Sequence, residues 1–132
     1  MKIQIFTLCD YAQNNAGKLT IVGTFNQIFA DRFPYLYTPS FFVVAKLSSK
    51  EPCQGKFSFT AYRPDGSLLL TPFTGDFRID NPENEQKERA FDFCLSLNNQ
   101  LFNEPGTYSF KFVAGDQVAT QELYLIQRPK QQ

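Results

Sequence analysis

Thirteen acidic and thirteen basic side chains are spread over 132 residues, and histidine is absent. That absence removes much chemistry. Ser-His and Cys-His nucleophile pairs need an imidazole to take the nucleophile's proton, so both are excluded, as is any zinc site that needs an imidazole ligand. Cys9, Cys53 and Cys94 are scattered and form no CxxC pair, which argues against a structural zinc site. No glycine-rich phosphate loop, GxSxG elbow or metalloprotease motif is present. What remains is oxygen chemistry. Asp76, Asp80, Glu83 and Glu85, interleaved with Asn81 and Asn84, offer hard ligands to Ca²⁺. Their spacing matches no EF-hand loop, and a run of this composition reads first as a solvated connection. Asp10 with Asp31 could serve as an acid-base pair if the fold joined them. Asp10 also follows a strand pattern and precedes a turn, where capping backbone donors is the commoner task.

The other candidate is aromatic. Phe33, Tyr35 and Tyr37, followed by Phe41 and Phe42, either present a platform to a sugar, a peptide or a base, or seal one end of a sheet structure. Sugar platforms favour Trp and base-stacking surfaces favour net positive charge, and this chain has no Trp and a net charge of zero. Phe33, Tyr35 and Tyr37 are therefore taken as a possible interaction surface that also suits an end cap.

The elements that must position these residues are strands. Tyr108, Phe110 and Phe112 alternate with Ser109 and Lys111, and Gly115-Asp116 supplies the turn of a hairpin spanning 104–127. Its register places Tyr108 opposite Leu123, Phe110 opposite Gln121 and Phe112 opposite Ala119. Gln121 then sits at the margin of the buried face, or a bulge shifts the register. Residues 2–9 form a first strand whose apolar phase switches midway, from coverage on both sides or from a bulge near Phe6. Residues 10–17 read as a polar loop and 18–25 as a second strand, interrupted by Gly23, which marks a bulge or a close approach. No clean period runs through 26–32, and 33–39, bounded by two prolines, is an extended crossing segment. Strands follow at 41–48, 56–63, 68–71, 73–79 and 89–97, with an exposed connection at 80–88.

About eight or nine short strands without an amphipathic helix predict an all-β, two-sheet antiparallel sandwich of Greek-key or immunoglobulin-like type. Residues 1–127 make one domain, and 128–132 a flexible tail. Fifteen Phe and six Tyr supply an aromatic core. Zero net charge offers no global field for nucleic acid or an anionic membrane, and no segment has the length of a transmembrane helix or a signal peptide. Three cysteines, an odd number, favour a reduced, cytoplasmic setting, with Cys9 and Cys94 as small core residues.

The segments 6–12 (FTLCDYA), 17–25 (GKLTIVGTF), Phe33-Pro34 and 105–110 (PGTYSF) together resemble a family of small bacterial proteins known only as a domain of unknown function. The resemblance spans nearly the whole chain and implies a single-domain bacterial β protein with no catalytic residue to carry over. The reading is a non-enzymatic module for binding or scaffolding, with an unidentified protein partner docked on a sheet edge or on 33–39. Neither cofactor nor metal is expected, and an exposed edge permits a homodimer by sheet extension. The alternatives are a small-ligand or carbohydrate-binding domain and a carboxylate-dependent enzyme.

Overall fold

The alternating patterns are realised as eleven strands and, among the described residues, no helix. The structure is a computed structural model describing residues 1–15, 18–80 and 89–129. In chain order the strands are β1 (Lys2–Asn15), β2 (Lys18–Thr24), β3 (Gln27–Ala30), β4 (Tyr35–Tyr37), β5 (Phe41–Ser49), β6 (Cys53–Tyr62), β7 (Phe73–Ile79), β8 (Arg89–Leu97), β9 (Gln100–Phe102), β10 (Gly106–Ala114) and β11 (Gln117–Gln127). They assemble into a four-stranded sheet, β2-β1-β5-β8, a five-stranded sheet, β3-β11-β10-β6-β7, and a ribbon, β4-β9.

The two large sheets pack face to face as a sandwich, because each has one aromatic or aliphatic face to bury. Phe41, Val43, Ala45 and Leu47 of β5 are fully buried, as are Tyr108, Phe110 and Phe112 of β10. Rings cross the interface. Phe57 of β6 lies 5.2 Å from Phe93 of β8, and Phe112 lies 5.9 Å from Phe6 of β1 and 5.4 Å from Phe93, centroid to centroid. Phe57 also stacks on Phe112 within its own sheet at 5.5 Å. These separations suit favourable aromatic pairing, so the core is a continuous cluster of rings.

The hairpin β10–β11 has the expected register, with Tyr108 opposite Leu123, Phe110 opposite Gln121 and Phe112 opposite Ala119. Gln121 sits at the margin: it is half-buried and borders a surface groove with Thr7, Thr24, Phe25 and Asn26. The phase switch in β1 is a bulge, since its pairing with β5 shifts between Ile3 and Ile5, which lets Ile3, Phe6 and Leu8 all face the core.

Several expectations are corrected. The described residues form eleven strands, more than eight or nine, because three short segments (β3, β4 and β9) pair where no period is visible. The sandwich is not wholly antiparallel: β3 runs parallel to β11, Ile28 beside Leu125 and Phe29 beside Ile126. Residues 10–15 are not a loop. They continue β1 and pair with β2, from Cys9 opposite Thr24 to Asn15 opposite Lys18. Ladder hydrogen bonds do not require apolar side chains, and the polar arm is held instead by Ala12, Leu19 and Ile21 packing on Cys9, Phe42 and Val44. Residues 68–71 form only a bridge, Leu68 to Tyr62.

Candidate functional site

Phe33, Tyr35 and Tyr37 are half-buried and pack against the core. Period-two alternation along β4 turns Tyr35 and Tyr37 inward and Leu36 outward. The rings form a row: Phe33 to Tyr35 at 6.4 Å, Tyr35 to Tyr37 at 6.4 Å, Tyr37 to Phe41 at 5.8 Å, and Phe41 to Phe25 at 5.6 Å. Burial, then the nearby Asp10 carboxylate, then Tyr35 push the Tyr37 phenol above its ordinary value. The segment thus covers an end of the core with its aromatic side. Its outward side presents Leu36, 48% exposed, directly opposite Leu101 of β9, 45% exposed.

A larger apolar surface lies on the outer face of the five-stranded sheet. Phe29 (44% exposed), Tyr124 (36%) and Ile126 (37%) are adjacent there, because Phe29 pairs with Ile126, and Tyr124 stands two residues before it on the same face of β11. The edge is pinned by backbone bonds. The Tyr124 amide donates to Asn26 O at 2.8 Å, and the Arg128 amide donates to Ala30 O at 2.8 Å. Arg128 lays its guanidinium over the Phe29 ring, 5.1 Å from the centroid, a cation–π contact. Tyr124 Oη donates to Glu122 Oε2 at 2.6 Å, and this bond to a carboxylate raises its phenol. Sequence reasoning missed this patch. The signal was the run Leu123-Tyr124-Leu125-Ile126, apolar in both phases of a strand that has one face to bury.

The oxygen candidates do not converge. Asp10 lies within β1 of the four-stranded sheet, its carboxylate against the backbone of Gly23, whereas Asp31 follows β3 of the other sheet. Asp76 sits on β7 opposite Lys56, and Asp80 accepts from Arg78 Nε at 2.8 Å. Asn81, Glu83, Asn84 and Glu85 lie outside the described residues. No group of three or more metal-ligating side chains occurs among those described. Gln54, Lys56, Asp76, Phe77 and Arg78 line a groove of about 430 Å³ along the β6–β7 edge.

Cys9 is fully buried, and its Sγ donates to Tyr11 O at 3.3 Å; burial pushes its thiol up, as for an inert core cysteine. Cys94 corrects the sequence reading. It is exposed, because Phe91, Phe93, Leu95 and Leu97 take the inner phase of β8 and leave Cys94 on the outer one. Beside it, Asp92 has a side chain only 4% exposed, and accepts from Lys46 Nζ at 3.3 Å and from Asn14 Nδ2 at 2.9 Å. The β1–β2 arm therefore reaches across the outer face of the four-stranded sheet to β8. No helix of the described residues is long and apolar enough to cross a membrane.

A family model matches residues 4–125, and the chain belongs to the family of unknown function DUF6941. No curated protein matches it. The resemblance carried by 6–12, 17–25 and 105–110 is thus to a family whose function is itself unassigned.

Proposed function

We propose that the protein is a non-enzymatic binding module whose contact surface is the outer face around Phe29. The observation that carries the reading is the cluster of Phe29, Tyr124 and Ile126, three large apolar side chains left in water on a face that no other element covers among the described residues. Exposed contiguous apolar surface of this kind marks interaction sites more often than isolated exposed residues do. The partner is a protein that brings apolar side chains to Phe29 and Ile126 and a carboxylate to Arg128, whose charge lies over the ring. The Leu36–Leu101 pair offers a smaller contact of the same type, seated on the row of Phe33, Tyr35 and Tyr37.

The plan of the sandwich supports an immunoglobulin-like, Greek-key reading. One sheet runs β2-β1-β5-β8 and the other β3-β11-β10-β6-β7, and Tyr108 near the start of β10 donates from its hydroxyl to Glu104 O at 2.7 Å, in the manner of a tyrosine corner. Cys9, Cys53 and Cys94 are all unpaired, which supports a reducing, cytoplasmic setting.

The test is affinity capture from cells expressing the chain at native level, wild type beside Phe29→Asp. Wild type should recover a reproducible protein partner, and Phe29→Asp should lose it while melting within a few degrees of wild type. Failure to recover any reproducible partner, or recovery unaffected by Phe29→Asp, would overturn the reading.

A further inference from the structure

The two large sheets end in four edges, and three of them carry features that discourage pairing with another chain. The β3 edge is four residues long. The β7 edge places Asp76 and Arg78 around a strand interrupted by Gly75. The β2 edge carries Gly23 at φ +70°, outside the extended region, and Lys18 at its start. Short strands, charges and backbone irregularities are the usual guards of a sheet edge. The β8 edge contains no Gly or Pro; its charges are Arg89 at its first residue and Asp92, which is ion-paired with Lys46 and accepts a hydrogen bond from Asn14.

Backbone geometry says which groups the edge offers. Leu8 O accepts from Phe25 N at 3.1 Å, so the polar groups of Leu8 face β2 and those of Cys9 face β5. Alternation carried across the pairs Cys9 with Phe42 and Val43 with Leu95 turns the amides and carbonyls of Leu95 and Phe93 toward β5. Those of Asp92, Cys94 and Ser96 then face outward, where no strand pairs with β8 among the described residues. Phe91 and Leu95 are only half-buried, so the same edge also leaves apolar surface for a neighbour to cover.

We infer that β8 pairs antiparallel with β8 of a second copy of the chain, about a two-fold axis near Cys94, extending the four-stranded sheet across two molecules. The strand is complementary to itself. An axis at Cys94 sets Phe91 against Leu97 and Phe93 against Leu95 on the inner face, and Asp92 against Ser96 on the outer face. Apolar meets apolar, and no carboxylate meets a carboxylate. An axis at Asp92 would oppose two aspartates, which places the centre farther along the strand. β8 belongs to the sheet opposite the Phe29 patch, so the dimer and the partner surface can be lost separately.

Light scattering after size exclusion should show the mass rising with concentration from 15.2 kDa toward twice that value. Cys94→Pro removes an outward N–H that faces no strand among the described residues, so this variant should stay monomeric with an unchanged β-sheet circular dichroism spectrum. Hydrogen exchange of wild type provides the reading should that variant not fold: the Asp92, Cys94 and Ser96 amides should gain protection as concentration rises. A wild-type mass that stays monomeric into the millimolar range overturns the inference. So does a dimer in which those three amides exchange as fast as in the dilute chain, or one that Cys94→Pro leaves intact.

Discussion

Phe112→Ala tests the sandwich at the point where both sheets share one ring. The Phe112 side chain is fully buried and meets Phe57 of its own sheet at 5.5 Å, and Phe6 and Phe93 of the opposite sheet at 5.9 and 5.4 Å. Truncation forfeits about 1.5–3 kcal/mol of transfer free energy. A residual cavity of about 50–80 Å³, at ~24 cal/mol per Å³, adds about 1–2 kcal/mol. The ring pairs overlap with both contributions and add about 1 kcal/mol at most beyond them. The expected loss is therefore about 3–5 kcal/mol, within the range of Phe→Ala changes in cores.

With an unfolding entropy of about 2.1 cal/mol/K for each of 132 residues, a loss near 4 kcal/mol lowers the melting temperature by about 14 °C. Urea denaturation followed by far-UV circular dichroism reads the same quantity through the midpoint. Phe29→Ala is the matched control. Its ring is 44% exposed and lies on the outer face, so its cost should stay within about 1 kcal/mol. A Phe112→Ala loss below about 1 kcal/mol, with the denaturant slope unchanged, would refute the shared ring cluster.

Tyr108→Phe deletes the hydroxyl that donates to Glu104 O at 2.7 Å and should cost about 1–2 kcal/mol at neutral pH by urea denaturation. Burial raises the Tyr108 phenol above its ordinary value of 10.0, so the folded state favours the neutral form. That stability is complete below pH 10.0 and is lost as pH rises through the raised folded value, and the variant should show a shallower alkaline decline than wild type. Tyr37 is raised in the same direction, so the decline should flatten without vanishing. Gly23→Ala forces an alanine to φ +70° and drives its methyl into the Asp10 carboxylate. It should cost about 1–2 kcal/mol for the backbone alone and more with Asp10 present, so repeating it in Asp10→Ala should recover the difference. Equal costs in both backgrounds would show that Asp10 does not press on Gly23.

The inner faces were legible in the sequence because burial imposes a period on them. The 104–114 alternation, the Gly115-Asp116 turn and the Phe91-to-Leu97 alternation each state which side chains point inward, and the β10–β11 register follows from the turn alone. Outer faces carry no such constraint. The 10–15 arm read as loop because Asp10, Gln13, Asn14 and Asn15 are polar, yet they occupy a ladder whose bonds are indifferent to side chains. β3 and β4 are too short to show a period, and β3 gains its place by lying parallel to β11, a pairing between residues nearly a hundred positions apart. Gly55 and Gly75 illustrate the same limit. Each lies under a cross-strand ring, Phe77 3.0 Å from where a Cβ at 55 would stand and Phe57 2.7 Å from one at 75, and only the pairing of β6 with β7 reveals why they are glycine.

The same division separates stability from recognition. Phe33, Tyr35 and Tyr37 are half-buried against the core, in a ring row that runs through the fully buried Phe41 to Phe25. Phe29, Tyr124 and Ile126 carry no such obligation, since Ile28 and Leu125 already fill the inner phase of the same two strands. Leu36 stands to Tyr35 and Tyr37 as Phe29 stands to Ile28 and Ala30: the inward neighbours fix the backbone, and the outward residue is left on the solvent side. Apolar residues stand at those outward positions although water disfavours them there and the core does not need them. Under the function proposed above, a contact that forms only part of the time would account for both facts, and recognition would fall on the two outer surfaces that the core leaves unclaimed.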